Sequence, residues 1–137
     1  MSTTLERGSG KTTGKKVLIV DDEYLIRYAM QKLVEHEGCF AFTAGCGNDA
    51  LHVFIEQDPD VIILDIGLPD TNGLVLLKTI KHFRPSVAII MATGCPDAEG
   101  NAEAMRLGAL AYLEKPVDMN ILKKLMCCTK QTEAQIQ

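Results

Sequence analysis

Val61-Ile62-Ile63-Leu64 runs without a polar break into Asp65, and Gly67-Leu68-Pro69-Asp70-Thr71-Asn72-Gly73 follows almost at once. A strand with one wet face alternates apolar and polar residues. This run does not alternate, so it must be covered on both faces, as in a parallel sheet sandwiched by helices. Pro69, Asp70, Asn72 and Gly73 then stop the strand and turn the chain. Asp65 therefore stands at the carboxyl end of a central strand, the edge at which open α/β sheets hold their ligands.

The rest of the chain repeats this pattern. Lys16-Val17-Leu18-Ile19-Val20 is another buried run and ends in Asp21-Asp22-Glu23. Residues 87–91 form a further strand ending in Ala92-Thr93-Gly94, and residues 110–113 a short one ending in Glu114-Lys115-Pro116. Residues 39–44 read as an edge strand. Between them the apolar residues take helical spacing. A first helix carries Leu25, Ile26, Ala29, Met30, Leu33 and Val34 on one face, with Gly38 as its C-terminal cap. A second opens at Gly45-Cys46-Gly47-Asn48 with Asn48 as cap. The third, over 74–83, presents Leu74, Leu77 and Ile80. The fourth, over 97–107 and closed by Gly108, is expected to be the least stable, because Gly100 and Asn101 lie in its interior. The fifth, over 118–129, sets Ile121, Leu122, Leu125 and Met126 against Lys123 and Lys124. Five strand–helix alternations with short connections mean right-handed crossovers and a doubly wound parallel sheet.

Composition bounds what such a sheet can serve. A length of 137 residues suits one domain, expected over 15–130, with a disordered tail over 1–14 and a frayed end over 131–137. Trp is absent and aromatics make up 5%, so the core must be aliphatic. A net charge of -4 has the wrong sign for binding nucleic acid. The five cysteines include no C-x-x-C pair and read as free thiols of a reducing cytosol. No run approaches the roughly 18 apolar residues of a membrane span, and the N-terminus has no signal-peptide core. The expected location is cytoplasmic.

Four strands thus end in polar residues: Asp21-Asp22, Asp65, Thr93 and Lys115. Neighbouring carboxylates repel and raise each other's pKa unless a cation intervenes. A hard divalent ion held by one or two carboxylates, waters and a phosphate is typical Mg²⁺ ligation. A lysine adds a point positive charge, and a hydroxyl can donate to an oxyanion. Together they describe a site that stabilises a phosphoryl group, with Asp65 as its acceptor.

On these residues the sequence resembles a two-component response-regulator receiver domain. The resemblance rests on Asp21-Asp22-Glu23, on Leu64-Asp65-Ile66-Gly67-Leu68-Pro69-Asp70-Thr71-Asn72-Gly73, on Met91-Ala92-Thr93-Gly94 and on Ala111-Tyr112-Leu113-Glu114-Lys115-Pro116, in the family's order and spacing. It implies the flavodoxin-like, CheY-like (βα)5 fold with strand order 2-1-3-4-5. It implies that Asp65 accepts the phosphoryl group, that Asp21, Asp22, Asp65 and the Gly67 carbonyl hold Mg²⁺ (or Mn²⁺), and that Thr93 and Lys115 contact the phosphoryl oxygens. Tyr112 becomes the switch aromatic that follows Thr93, and Lys115-Pro116 a cis peptide. The implied partners are a histidine kinase or phosphotransfer protein and a downstream output domain or protein, with a homodimer through the face of the fourth helix, fifth strand and fifth helix. Direct binding of nucleic acid or membrane is not expected of this segment. A stand-alone regulator and a receiver from a longer protein both remain open.

Three rival motifs are weaker. Gly8-Ser9-Gly10-Lys11-Thr12-Thr13 has the end of a phosphate-binding P-loop, but Leu5 stands where its first glycine belongs. Gly45-Cys46-Gly47-Asn48-Asp49-Ala50 matches the G-x-G-x-x-A dinucleotide turn, but follows the second strand instead of the first. An Asp-dependent phosphatase would place a second acid two residues after Asp65, where Gly67 stands.

Overall fold

The computed structural model describes residues 14–129; the P-loop-like stretch and both tails, but for Gly14, lie outside them. The elements run β1 (Lys16–Val20), α1 (Tyr24–His36), β2 (Phe40–Ala44), α2 (Gly47–Gln57), β3 (Val61–Asp65), α3 (Gly73–Phe83), β4 (Ala88–Thr93), α4 (Ala98–Arg106), β5 (Ala111–Glu114) and α5 (Met119–Cys128). All strand pairings are parallel, in the order β2-β1-β3-β4-β5. The expected sheet and its order are thus present. β3 is central and all five of its residues are buried.

The sheet splits the core into two layers, as the two-residue period of strands requires. Leu18, Val20, Ile62, Leu64, Ile89 and Met91 face α2, α3 and α4, whose Ala50, Phe54, Leu77, Ile80 and Ala104 cover them. Val17, Ile19, Val61, Ile63, Ile90 and Ala92 face α1 and α5, whose Met30, Val34, Leu122 and Met126 cover them. Each fully buried aliphatic side chain contributes about 1.5–3 kcal/mol, so the two layers dominate the fold's stability. Phe54 is the one aromatic among the buried apolar residues, in keeping with an aliphatic core.

Helical spacing alone overestimates the buried faces. Leu25 is 77% exposed and Ile121 45% exposed, though each was expected on a core face; Ala29 is exposed as well. Asn48 is not the cap of α2. That place belongs to Cys46, which makes no side-chain cap bond, and the free N–H groups of Gly47 and Asn48 instead donate to the Asp70 carboxylate at 2.7 and 2.9 Å. These bonds, Gly47 first, hold the Asp70 carboxyl below its ordinary value of 3.8.

Lys15 closes the far end of the molecule. It is only 3% exposed, and its ammonium donates to the Met126 carbonyl at 2.6 Å, to the Thr129 carbonyl, and to the Thr129 hydroxyl at 2.7 Å. A cation there meets the negative end of the α5 dipole and carbonyls that a helix end leaves without intrahelical partners. Lys15→Met should therefore lower the unfolding free energy by about 2 kcal/mol, the usual scale for hydrogen bonds to a charged group. Urea unfolding checks this, and an unchanged value would show that the clamp is energetically idle.

Candidate functional site

Strand parity assembles the site. Asp21, Asp65 and Lys115 extend the odd-numbered series 17-19, 61-63 and 111-113, all of which pack on the α1/α5 side. Thr93 and Tyr112 extend the opposite series, on the α4 side. In register, Asp65 pairs with Ala92 and Thr93 with Glu114, so the strand ends lie level along one edge. Asp21, just beyond β1, keeps that level because its N–H donates to the Ala44 carbonyl at 3.1 Å.

The carboxylates meet there. Oxygens of Asp21, Asp22 and Asp65 lie within 4.8 Å of one another. Asp21 and Asp65 are buried, 2% and 6% exposed, while Asp22 is exposed. Lys115 Nζ lies 2.7 Å from Asp21 Oδ2 and 2.9 Å from Asp65 Oδ2, with the exposed Glu23 carboxylate at 3.7 Å. Burial pulls the Lys115 pKa down, but its hydrogen bonds to Asp21 and Asp65 and their charges outweigh this, and the net shift is upward. Three carboxylates and one ammonium sum to -2, a charge that one divalent cation balances. Two unit charges about 4 Å apart interact by roughly 4 kcal/mol at a protein's effective dielectric. The lysine therefore relieves only part of the repulsion. The donors are all hard oxygens, and Asp22 and Asp65 open on a cleft of about 390 Å³ lined also by Gly67, Thr93 and Cys95. This set fits a Mg²⁺-type ion and offers nothing to a soft one.

The loop after β3 is tightly built. Gly67 N–H donates to Asp65 Oδ1 at 3.2 Å, Gly67 bridges to Asn72, and Gly73 N–H donates to the Ile66 carbonyl at 2.6 Å. A Cβ on Gly73 would lie 2.3 Å from the Asp65 carbonyl oxygen, so only glycine lets α3 start this close to the strand end. A Cβ on Gly67 would meet nothing within 4 Å, so the space above Asp65 is open on that side.

Thr93 is 5% exposed, and its hydroxyl accepts the Cys95 N–H at 3.1 Å, which leaves its own proton available to an acceptor in the cleft. Tyr112 does not touch the carboxylates. Its hydroxyl accepts the Asp97 N–H at 3.3 Å, at the start of α4. Its ring lines a second cavity, about 660 Å³, which shares Ile66, Thr93 and Cys95 with the first. Lys115-Pro116 is cis.

Of the residues expected at the site, Asp22, Asp65, Gly67, Thr93 and Lys115 line the carboxylate cleft, Asp21 joins the carboxylate cluster from behind it, and Tyr112 lies apart. In the sequence Gly100 stands out only as a weak point of a helix. In the structure a Cβ there would lie 2.8 Å from Asp97 Oδ1 and 2.9 Å from the Tyr112 hydroxyl. A glycine at an interior helix position is itself the signal that something approaches closely. The dinucleotide turn is excluded as an anion site, because the Asp70 carboxylate fills the N-terminus of α2. His36, His52 and His82 are exposed and distant in sequence from the strand ends.

Residues 17–126 match the family described as the response regulator receiver domain. The chain is 36% identical over 104 residues to the DNA-binding transcriptional regulator NtrC of Proteus hauseri, a match covering 76% of this chain but 22% of that protein. It is 32% identical over 109 residues to sporulation initiation phosphotransferase F of Bacillus subtilis (strain 168), covering 80% of this chain and 88% of the relative. The crystal structure of a CheY-like response regulator receiver domain protein from Methanospirillum hungatei JF-1 superposes with a TM-score of 0.78 at 31% identity, over 82% of this chain and 90% of that one. No helix among the described residues is long and apolar enough to cross a membrane. The parallel sheet, the acidic strand ends and these matches agree: the chain belongs to the response regulator receiver domain family and is a phosphoacceptor receiver of two-component signalling.

Proposed function

We propose that Asp65 is the phosphoacceptor and that Asp21, Asp22 and Asp65, with the Gly67 carbonyl, hold Mg²⁺ (or Mn²⁺). The observation that carries this reading is the three-carboxylate cluster within 4.8 Å, with Lys115 Nζ at 2.9 Å from Asp65. The phosphoryl donor is a phosphohistidine on a histidine kinase or phosphotransfer protein. An Asp65 oxygen attacks phosphorus in line, the P–N bond breaks as the P–O bond forms, and the imidazole leaves with the bonding pair. The bound ion supplies positive charge to the phosphoryl oxygens. Lys115 adds a second positive charge and Thr93 donates its hydroxyl proton to one phosphoryl oxygen, so that positioning and electrostatics do most of the work. The reaction modifies the protein itself, and the output is a changed surface.

That surface is the face of α4, β5 and α5. Thr93 moves toward the phosphoryl group, the Tyr112 ring follows, and the bond from Asp97 N–H to the Tyr112 hydroxyl is lost from the start of α4. Helix α4 suits a movable element, since Ala104 is its one buried residue. The exposed Met105, Leu110 and Ile121 give this face apolar contacts for an output partner or a second copy.

Three outcomes test this reading. Incubation with a small-molecule phosphodonor and Mg²⁺ should add one phosphoryl mass to the intact protein and none to Asp65→Asn; equal modification of both would sink the assignment. The open space beside Gly67 and the exposed Cys95 admit a hydrolytic water, so the acyl phosphate should be short-lived and Gly67→Met should lengthen its life severalfold. A wild-type half-life of many hours would contradict this. Gly100→Ala should destabilise the fold despite alanine's advantage of about 1 kcal/mol in a helix, and less so beside Tyr112→Phe. A double-mutant cycle in urea should give a coupling of at least about 0.5 kcal/mol, whereas additivity would show that the tyrosine hydroxyl does not hold α4.

A further inference from the structure

Asp70 lies three residues beyond Gly67, at the tip of the loop that joins β3 to α3. Its carboxylate reaches α2, whose first two N–H groups it binds at 2.7 and 2.9 Å. The helix lacks a cap of its own, because Cys46 provides no side-chain acceptor. The contact is close on both sides. A Cβ on Gly47 would lie 2.5 Å from Thr71 Cγ2 and 3.3 Å from Asp70 Oδ1, so a larger residue here would have to displace the Thr71 side chain. The stem of the same loop is held by the Gly67–Asn72 bridge and the bond from Gly73 N–H to the Ile66 carbonyl. Leu68 N–H also donates to the Ile66 carbonyl at 3.2 Å, so the Gly67 peptide is held within the stem. The two bonds at the tip hold the outer half of the loop and so keep this stem geometry from shifting.

We infer that Asp70 is a positioning residue for the metal site: by capping α2 from across the sheet it fixes the Ile66–Asn72 loop, and with it the direction of the Gly67 carbonyl toward the ion. The inference rests on the proposed metal site. Groups that orient a metal's direct ligands are worth about 10- to 100-fold in affinity. Asp70 acts through backbone, so the low end applies.

The test is Mg²⁺ titration of the full chain, followed by amide NMR shifts. Asp70→Ala should weaken Mg²⁺ binding by about 10-fold. Asp70→Asn keeps one acceptor oxygen and should fall between wild type and Asp70→Ala. Gly47→Ala changes no charge and should weaken binding in the same direction by pushing Thr71 and the loop away. Lys15→Met, which loosens the opposite end of the fold, should bind as wild type does. A purely Coulombic role for Asp70 predicts something different: equal loss in Asp70→Ala and Asp70→Asn, disappearance of that loss in high salt, and wild-type affinity in Gly47→Ala. That pattern, or unchanged binding in all variants, would overturn the inference. If Gly47→Ala does not fold, the salt dependence of the two Asp70 variants decides. Wild-type protein that binds no Mg²⁺, or that Asp22→Ala leaves unchanged, would overturn the metal site and this inference together.

Discussion

The Lys115 ammonium among the strand-end carboxylates is the interaction on which the site depends. Asp21 and Asp65 are nearly buried and their oxygens lie within 4.8 Å of each other, so their like charges repel across a short, poorly screened distance. Lys115 supplies a cation within 3 Å of both. It arrives from β5, two strands away from β3 through β4, so the charge balance closes only when the whole sheet has formed. The balance is also incomplete. The residual formal charge of -2 is one that a single divalent cation would balance. The exposed Glu23, farther from Lys115, adds little in water.

The sheet also separates the two halves of the proposed switch. Carboxylates and lysine extend the strand series that packs on α1 and α5, and Thr93 and Tyr112 the series that packs on α4. Thr93 lines both cavities, together with Ile66 and Cys95. Helix α4 contributes little to the apolar layer, so a change at its first turn costs little elsewhere.

Some features escaped the sequence for definite reasons. Leu25 and Ile121 have the right spacing for a core face but are exposed, and spacing carries no information about how far the packed neighbour extends. The cap of α2 was assigned to Asn48, the nearest polar residue in the chain, whereas the acceptor is Asp70, 23 residues away in sequence. Gly100 was legible as an anomaly, since glycine inside a helix is costly, but its cause, the Tyr112 hydroxyl, comes from β5. Lys15 gave no signal, because its partners lie more than 100 residues away at the end of α5.

By itself the sequence determined the alternation of elements, the burial of the central strand and the placing of Asp21, Asp22, Asp65, Thr93 and Lys115 at strand ends. Those follow from local period and turn chemistry, which act over a few residues. Only the tertiary structure decided which of these groups touch, on which side of the sheet they lie, and which distant residues hold the loops between them. Parallel pairing sets register between strands far apart in the chain, and no local pattern records the distance from Lys115 to Asp65 or from Asp70 to Gly47.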